Sequence, residues 1–159
     1  MIIEKTGDIL STTNTTNIIA HQVNCQGAFG AGLAKQIRNK YPNTRSEYMR
    51  YCSVHCADLL DRCQIVTVEP MSDGSLRFIA SLFGQYNYGR ESDRCYTNYA
   101  ALRQTLTYLR DYAKFCGYSV SIPYGLGCGL AGGDWSKVYS FIREIFKESA
   151  VNCEIWRKI

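Results

Sequence analysis

Two stretches of this sequence have the composition of an anion cradle. Asn24-Cys25-Gln26-Gly27-Ala28-Phe29-Gly30-Ala31-Gly32-Leu33-Ala34 and Pro123-Tyr124-Gly125-Leu126-Gly127-Cys128-Gly129-Leu130-Ala131-Gly132-Gly133-Asp134-Trp135 are both dense in glycine. Each follows a run apolar enough for a buried strand and precedes a helical pattern. Glycine lets backbone N–H groups turn toward a ligand and approach it closely. A helix N-terminus adds about half a positive charge at the same place. One such loop is more often a tight turn than a ligand site. Two of them at neighbouring strand ends can hold a diphosphate between them.

Other phosphate-binding patterns fit less well. A dinucleotide fingerprint needs a third glycine, which Gly30-Ala31-Gly32-Leu33-Ala34-Lys35 lacks, and an acidic residue at a following strand end, whereas Glu47 falls on a helical pattern. No Gly-Lys-Ser/Thr occurs, which excludes a P-loop. Phe83-Gly84-Gln85-Tyr86-Asn87-Tyr88-Gly89-Arg90 leaves a strand with aromatics, an amide and an arginine together. It can close over a ribose or phosphate, or its tyrosines can pack on a helix.

These residues need elements to position them. Ile18–Asn24, Cys63–Val68, Arg77–Phe83, Tyr118–Ile122 and Cys153–Trp156 read as strands, with a short one before Gly7-Asp8 and a turn at Met71–Ser75. Leu33, Ala34, Ile37 and Tyr41 share one helical face, and Pro42 ends that helix. Thr44-x-x-Glu47 offers a capping box for the next. Tyr99, Leu102, Leu106, Leu109 and Ala113 follow the helical repeat, and Asp134 can cap a helix burying Trp135, Val138, Ile142, Ile145 and Phe146. Strands and helices alternate without repeat or linker. The expectation is a single domain over residues 1–159 of the α/β class, a three-layer α/β/α sandwich on a mixed sheet.

Composition narrows the partners. Lys and Arg outnumber Asp and Glu by 18 to 14. That mild excess suits an anionic ligand and is too dispersed for duplex DNA. No apolar run is long enough to span a membrane, and residues 1–8 lack a signal-peptide core, so a cytoplasmic address is expected. In that setting the eight cysteines are expected to be reduced, buried, small apolar groups. Cys52, His55, Cys56 and Cys63 have none of the usual zinc spacings, so no metal is expected. Asn14-Thr15-Thr16 reads as a polar turn.

The chain resembles the macrodomains over nearly its whole length. The likeness rests on Gly7-Asp8-Ile9, on His21-Gln22-Val23-Asn24-Cys25 with Gly30-Ala31-Gly32-Leu33-Ala34, and on Ile122-Pro123-Tyr124-Gly125-Leu126-Gly127-Cys128-Gly129-Leu130. The resemblance implies a mostly parallel six-stranded sheet and binding of ADP-ribose, free or on a macromolecule, by a monomer without cofactor. Asp8 and Ile9 would meet adenine. Gly30, Gly32, Leu33 and Ala34 would form the first phosphate loop, and Gly125, Leu126, Gly127, Cys128, Gly129 and Leu130 the second. Asn24 would face the distal ribose, with Phe83 and Gln85 beside it.

Within the family, Gly-Cys-Gly-Leu followed by Trp135 resembles the branch of the terminal ADP-ribose protein glycohydrolase. That branch implies a catalytic lysine and aspartate, and here Gln85 and Ala131 stand at those positions. Neither can act as amine nucleophile or base. His21 matches a histidine of the related ADP-ribose-1''-phosphate phosphatases, which implies hydrolysis at the distal ribose, of ADP-ribose-1''-phosphate or of an ADP-ribosyl adduct, with His21 as base; on its apolar strand His21 reads equally as a hydrogen-bonded core residue. Asn24 and Asp134, the carboxylate nearest the second loop, are the other catalytic candidates. Without such chemistry the domain would be a non-catalytic ADP-ribose reader.

Overall fold

Ile18–Asn24 is buried along nearly its whole length on both faces, as the apolar, β-branched run of a central parallel strand requires. The computed structural model describes residues 1–159 and contains six strands: β1 (Ile2–Thr6), β2 (Ile18–Asn24), β3 (Cys63–Thr67), β4 (Phe78–Gln85), β5 (Val120–Pro123) and β6 (Cys153–Arg157). They form one sheet in the order β1-β6-β5-β2-β4-β3. Every neighbouring pair is parallel except β3 and β4. The mixed, mostly parallel sheet expected from the sequence is observed.

Four helices cover it: α1 (Gly32–Lys40), α2 (Pro42–His55), α3 (Tyr99–Cys116) and α4 (Trp135–Phe146). Strand alternation divides the core. Ile18 and Ala20 of β2, with Ala80 and Leu82 of β4, pack against Leu102, Leu106 and Leu109 of α3 and Val138, Ile142 and Phe146 of α4. Ile19 and Val23, with Ile79 and Phe83, pack on the opposite face against Ile37 of α1 and Tyr48 of α2.

Local signals explain most boundaries. Asn98 caps α3 by accepting from Ala101 N, and Gly117 ends it in the left-handed conformation. Asp134 caps α4 by accepting from Ser136 N. The expected capping box at Thr44 does not form. Pro42 occupies the first helical position, where a missing N–H costs nothing, and Thr44 Oγ1 donates to Tyr41 O inside the first turn at 2.6 Å.

Strand β4 runs two residues beyond its expected end at Phe83. Val23 pairs with Phe83 and Asn24 with Gln85, so Gly84 is an extra residue, a bulge that re-aims Gln85. A side chain at Gly84 would collide with the Gln22 carboxamide.

Asn14, read from the sequence as part of a polar turn, has a structural role inside the fold. It is buried, donates to Ile9 O at 2.7 Å and to Ser121 Oγ at 3.0 Å, and ties the start of β2 to β5. The cysteines depart from expectation. All eight are free thiols, but only Cys153 is fully buried, while Cys56, Cys95 and Cys116 are exposed. Nowhere do three or more His, Cys, Asp or Glu side chains converge as metal ligands.

Candidate functional site

The loops that follow β2 and β5 diverge. From β2 the chain passes to α1 and α2 on one face, and from β5 to α4 on the other. Such a switch point leaves a crevice at the carboxyl ends of the strands. A cleft of about 780 Å³ occupies it, within the range of small-molecule sites. Gly30, Gly32, Leu33 and Ala34 of the first glycine loop line one side. Gly125, Leu126, Gly127, Gly129 and Leu130 of the second line the other.

Both loops present unused backbone donors. The N–H groups of residues 30–34 donate to no protein acceptor, and α1 has Ala31 at its N-cap with no side-chain cap. Helices α3 and α4, by contrast, are capped by their own Asn98 and Asp134. In the second loop, Leu126 and Cys128 donate within their own turns, to Pro123 O and Gly125 O. The N–H groups of Gly125, Gly127, Gly129, Leu130 and Ala131 remain without a protein acceptor. Positive φ at Gly125 and Gly127, +82° and +74°, produces this alternation. No Asp or Glu lines the cleft. An anion entering it meets two sets of N–H dipoles and no opposing carboxylate.

Asn24, expected against the distal ribose, does line the cleft. Most of its bonding capacity is internal. Oδ1 accepts from Gln26 N and Ala28 N at 2.9 and 3.3 Å, and Nδ2 donates to Ala28 O at 2.8 Å. The Tyr48 hydroxyl donates to Asn24 O at 2.7 Å and fixes the loop from behind. One Nδ2 hydrogen stays free for a ligand.

His21 also lines the cleft, yet it is 2 % exposed. Its Nε2 bonds Ser81 Oγ at 3.0 Å, its ring lies 5.3 Å from Phe29, and Nδ1 has no partner. Burial lowers its pKa to about 3. The imidazole is neutral at pH 7 and a far weaker base than a solvated one.

The sequence reading did not single out Gln22. Its Nε2 donates to Gln85 Oε1 at 2.7 Å and to Thr97 Oγ1 at 3.0 Å, and Thr97 in turn donates to Gly127 O at 2.6 Å. This network joins β2, β4 and the second glycine loop. The two-residue alternation of β2 was the available signal, since Gln22 falls on the same face as Ala20, two residues back. Gln85 lines the cleft as expected, with its Nε2 donating to Asn87 O at 2.9 Å.

Other expected site residues lie elsewhere. Phe83 is fully buried and stacks on Tyr48 and Tyr51, because its position in β4 points it into the core beneath α2. The Cys128 side chain packs toward the α3–α4 core, donates to Leu126 O, and burial pushes its thiol up to about 11. Asp134 is outside the cleft, and its carboxylate accepts from Ser136 N and Ser136 Oγ, so it is a helix cap. Asp8 and Ile9 lie past the end of β1, outside the lining. Asp8 Oδ1 accepts from Leu10 N at 2.9 Å, and Ile9 is buried with Trp156.

No protein-family model matches the chain. It is 30% identical over 158 residues to the ADP-ribose 1''-phosphate phosphatase of Saccharomyces cerevisiae, an alignment covering 87% of this chain and 89% of that one. Among solved structures, a macrodomain protein from Streptomyces coelicolor superposes with a TM-score of 0.79 at 24% identity, over 98% of each chain. Thermosipho africanus DarTG in complex with ADP-ribose superposes with a TM-score of 0.80 at 17% identity, over 98% of this chain and 41% of that one. With a six-stranded α/β/α fold and sequence likeness along nearly the whole of both chains, this chain belongs to the macrodomain family.

Proposed function

We propose that the protein binds ADP-ribose and hydrolyses ADP-ribose-1''-phosphate to ADP-ribose and inorganic phosphate. The observation that carries this reading is the pair of loops with unpartnered N–H groups, at residues 30–34 and at residues 125, 127 and 129–131, on two sides of a cleft free of carboxylates. The likeness to the Saccharomyces cerevisiae ADP-ribose 1''-phosphate phosphatase supports it, as does the ADP-ribose held by Thermosipho africanus DarTG. The diphosphate lies between the arrays, the distal ribose takes the free Nδ2 hydrogen of Asn24, and adenine extends toward Asp8 and the unused Ile9 N–H.

Hydrolysis of a phosphate monoester suits such a site. Its transition state is loose, so catalysis is mostly positioning and electrostatic stabilisation. Water attacks phosphorus, the bond to the ribose oxygen breaks, and that oxygen leaves with the electron pair and takes up a proton. Neutral His21 contributes little as a base at pH 7, given its lowered pKa.

That lowered pKa and the absence of a lining carboxylate favour a second reading, a non-catalytic ADP-ribose reader. Calorimetric titration with ADP-ribose and AMP, followed by phosphate release from ADP-ribose-1''-phosphate, separates the two. Micromolar ADP-ribose binding, much weaker AMP binding and catalytic phosphate release are expected. Binding without release selects the reader, and equal competition by AMP overturns the two-array site.

A further inference from the structure

The substrate proposed above carries three phosphoryl groups, and the two N–H arrays match the two that form its diphosphate. The third needs its own counter-charge. Among Lys, Arg, Asp and Glu, the cleft lining contains a single residue, Arg90. Arg90 takes part in none of the protein's ion pairs. It sits midway along residues 86–96, a strap between β4 and α3 that is fastened at both ends.

At the near end, Cys25 N donates to Tyr86 O at 3.1 Å and Gln85 Nε2 to Asn87 O at 2.9 Å. At the far end, Tyr96 N and Thr97 N both donate to Ala131 O in the second glycine loop. Between them, Gly89 lies against the Tyr96 ring so closely that a Cβ there would stand 2.6 Å from Tyr96 Cζ. Arg94 covers the same ring at 4.9 Å. The glycine seats the backbone on Tyr96, and the next residue, Arg90, lines the same cleft as Gln85 at the carboxyl end of β4.

We propose that Arg90 is a specificity-determining residue that receives the phosphoryl group esterified to the distal ribose, so that the cleft prefers 1''-phosphorylated ADP-ribose over ADP-ribose itself. This rests on the function proposed above. A guanidinium is suited to the task because its planar fork pairs two N–H groups with two phosphoryl oxygens.

The test compares wild type, Arg90→Ala and Arg90→Lys by calorimetry with two probes, ADP-ribose and its 1''-phosphonate analogue, which cannot be turned over. Wild type is expected to bind the phosphonate about tenfold more tightly, the effect of one charge-assisted contact. Raising salt from about 50 to about 500 mM shrinks that advantage by screening. Arg90→Ala removes it while changing ADP-ribose affinity by about twofold at most, and Arg90→Lys keeps part of it. The inference is overturned if Arg90→Ala retains the preference, if it weakens both probes equally, or if wild type has no preference while binding ADP-ribose. Failure of wild type to bind either probe overturns the proposed function together with this inference.

Discussion

Gln22 and Gly127 approach so closely that a Cβ on Gly127 would stand 3.0 Å from Gln22 Oε1. The carboxamide cannot swing away, because Gln85 and Thr97 hold its nitrogen. The absence of a side chain at 127 therefore sets the height of the second glycine loop above the strand ends. Gly127→Ala meets this barrier and a φ of +74°. It is expected to destabilise the fold by about 1–2 kcal/mol and to weaken ADP-ribose binding. Denaturation and calorimetry on the same variant check both. Full affinity in the variant would show that this loop does not hold the ligand.

Helix α1 offers a trade of stability against binding. Ala31 leaves its first N–H groups uncapped. Ala31→Asp supplies the missing acceptor and a favourable charge, so it should stabilise the protein by about 0.5–2 kcal/mol. The same carboxylate occupies and repels at the anion site, so ADP-ribose binding should fall by at least about tenfold. A variant that gains stability and keeps its affinity would move the diphosphate away from α1.

His21 makes stability depend on pH in a defined direction. Burial holds its folded-state pKa near 3, while the unfolded chain titrates near its ordinary value of about 6.5. Between these values the unfolded state binds the extra proton. The stability is therefore fully present above about pH 6.5 and is lost as pH falls toward about 3. Urea unfolding at about pH 7 and pH 4 should show wild type losing on the order of 3 kcal/mol more than His21→Gln. Equal losses would mean that the imidazole is solvated. If catalysis is found, His21→Gln should leave its pH profile without a displaced inflection near neutrality.

The thiols divide by environment. Burial pushes Cys25 and Cys128 up to about 11, so almost no thiolate is present at neutral pH. Cys56, Cys95 and Cys116 are exposed. Brief treatment with iodoacetamide followed by peptide mass mapping should label the exposed three first. Early labelling of Cys128 would place its sulfur in the cleft rather than against the α3–α4 core.

The glycine loops were legible in the sequence because backbone chemistry follows residue type directly. The same holds for α3 and α4, whose apolar spacing is regular, and for the Asp134 cap of α4. Side-chain direction was harder to read. The bulge at Gly84 shifts the register between Phe83 and Gln85, so one faces the core and the other the cleft. Positive φ at Gly125 and Gly127 turns the Cys128 side chain toward the core, which no spacing rule encodes. Asp134 carried two valid readings, and only the Ser136 contacts decide for the cap. Gln22 is illegible in sequence because a lone glutamine in an apolar run has meaning only through its neighbours Gln85 and Thr97.

The uncapped start of α1 also bears on how the protein is handled. Because the first N–H groups of α1 are open to an anion, heat resistance reports whether one is bound, since a ligand at about a hundred times its dissociation constant adds about 2.7 kcal/mol to the folded state. For a domain of this size that is a melting shift of several degrees, large enough for dye-based screening of small anions. Phosphate or sulfate buffers would then mask true ligands by filling the cradle first, so purification and assay in a buffer with a bulky organic anion or none is the sounder choice.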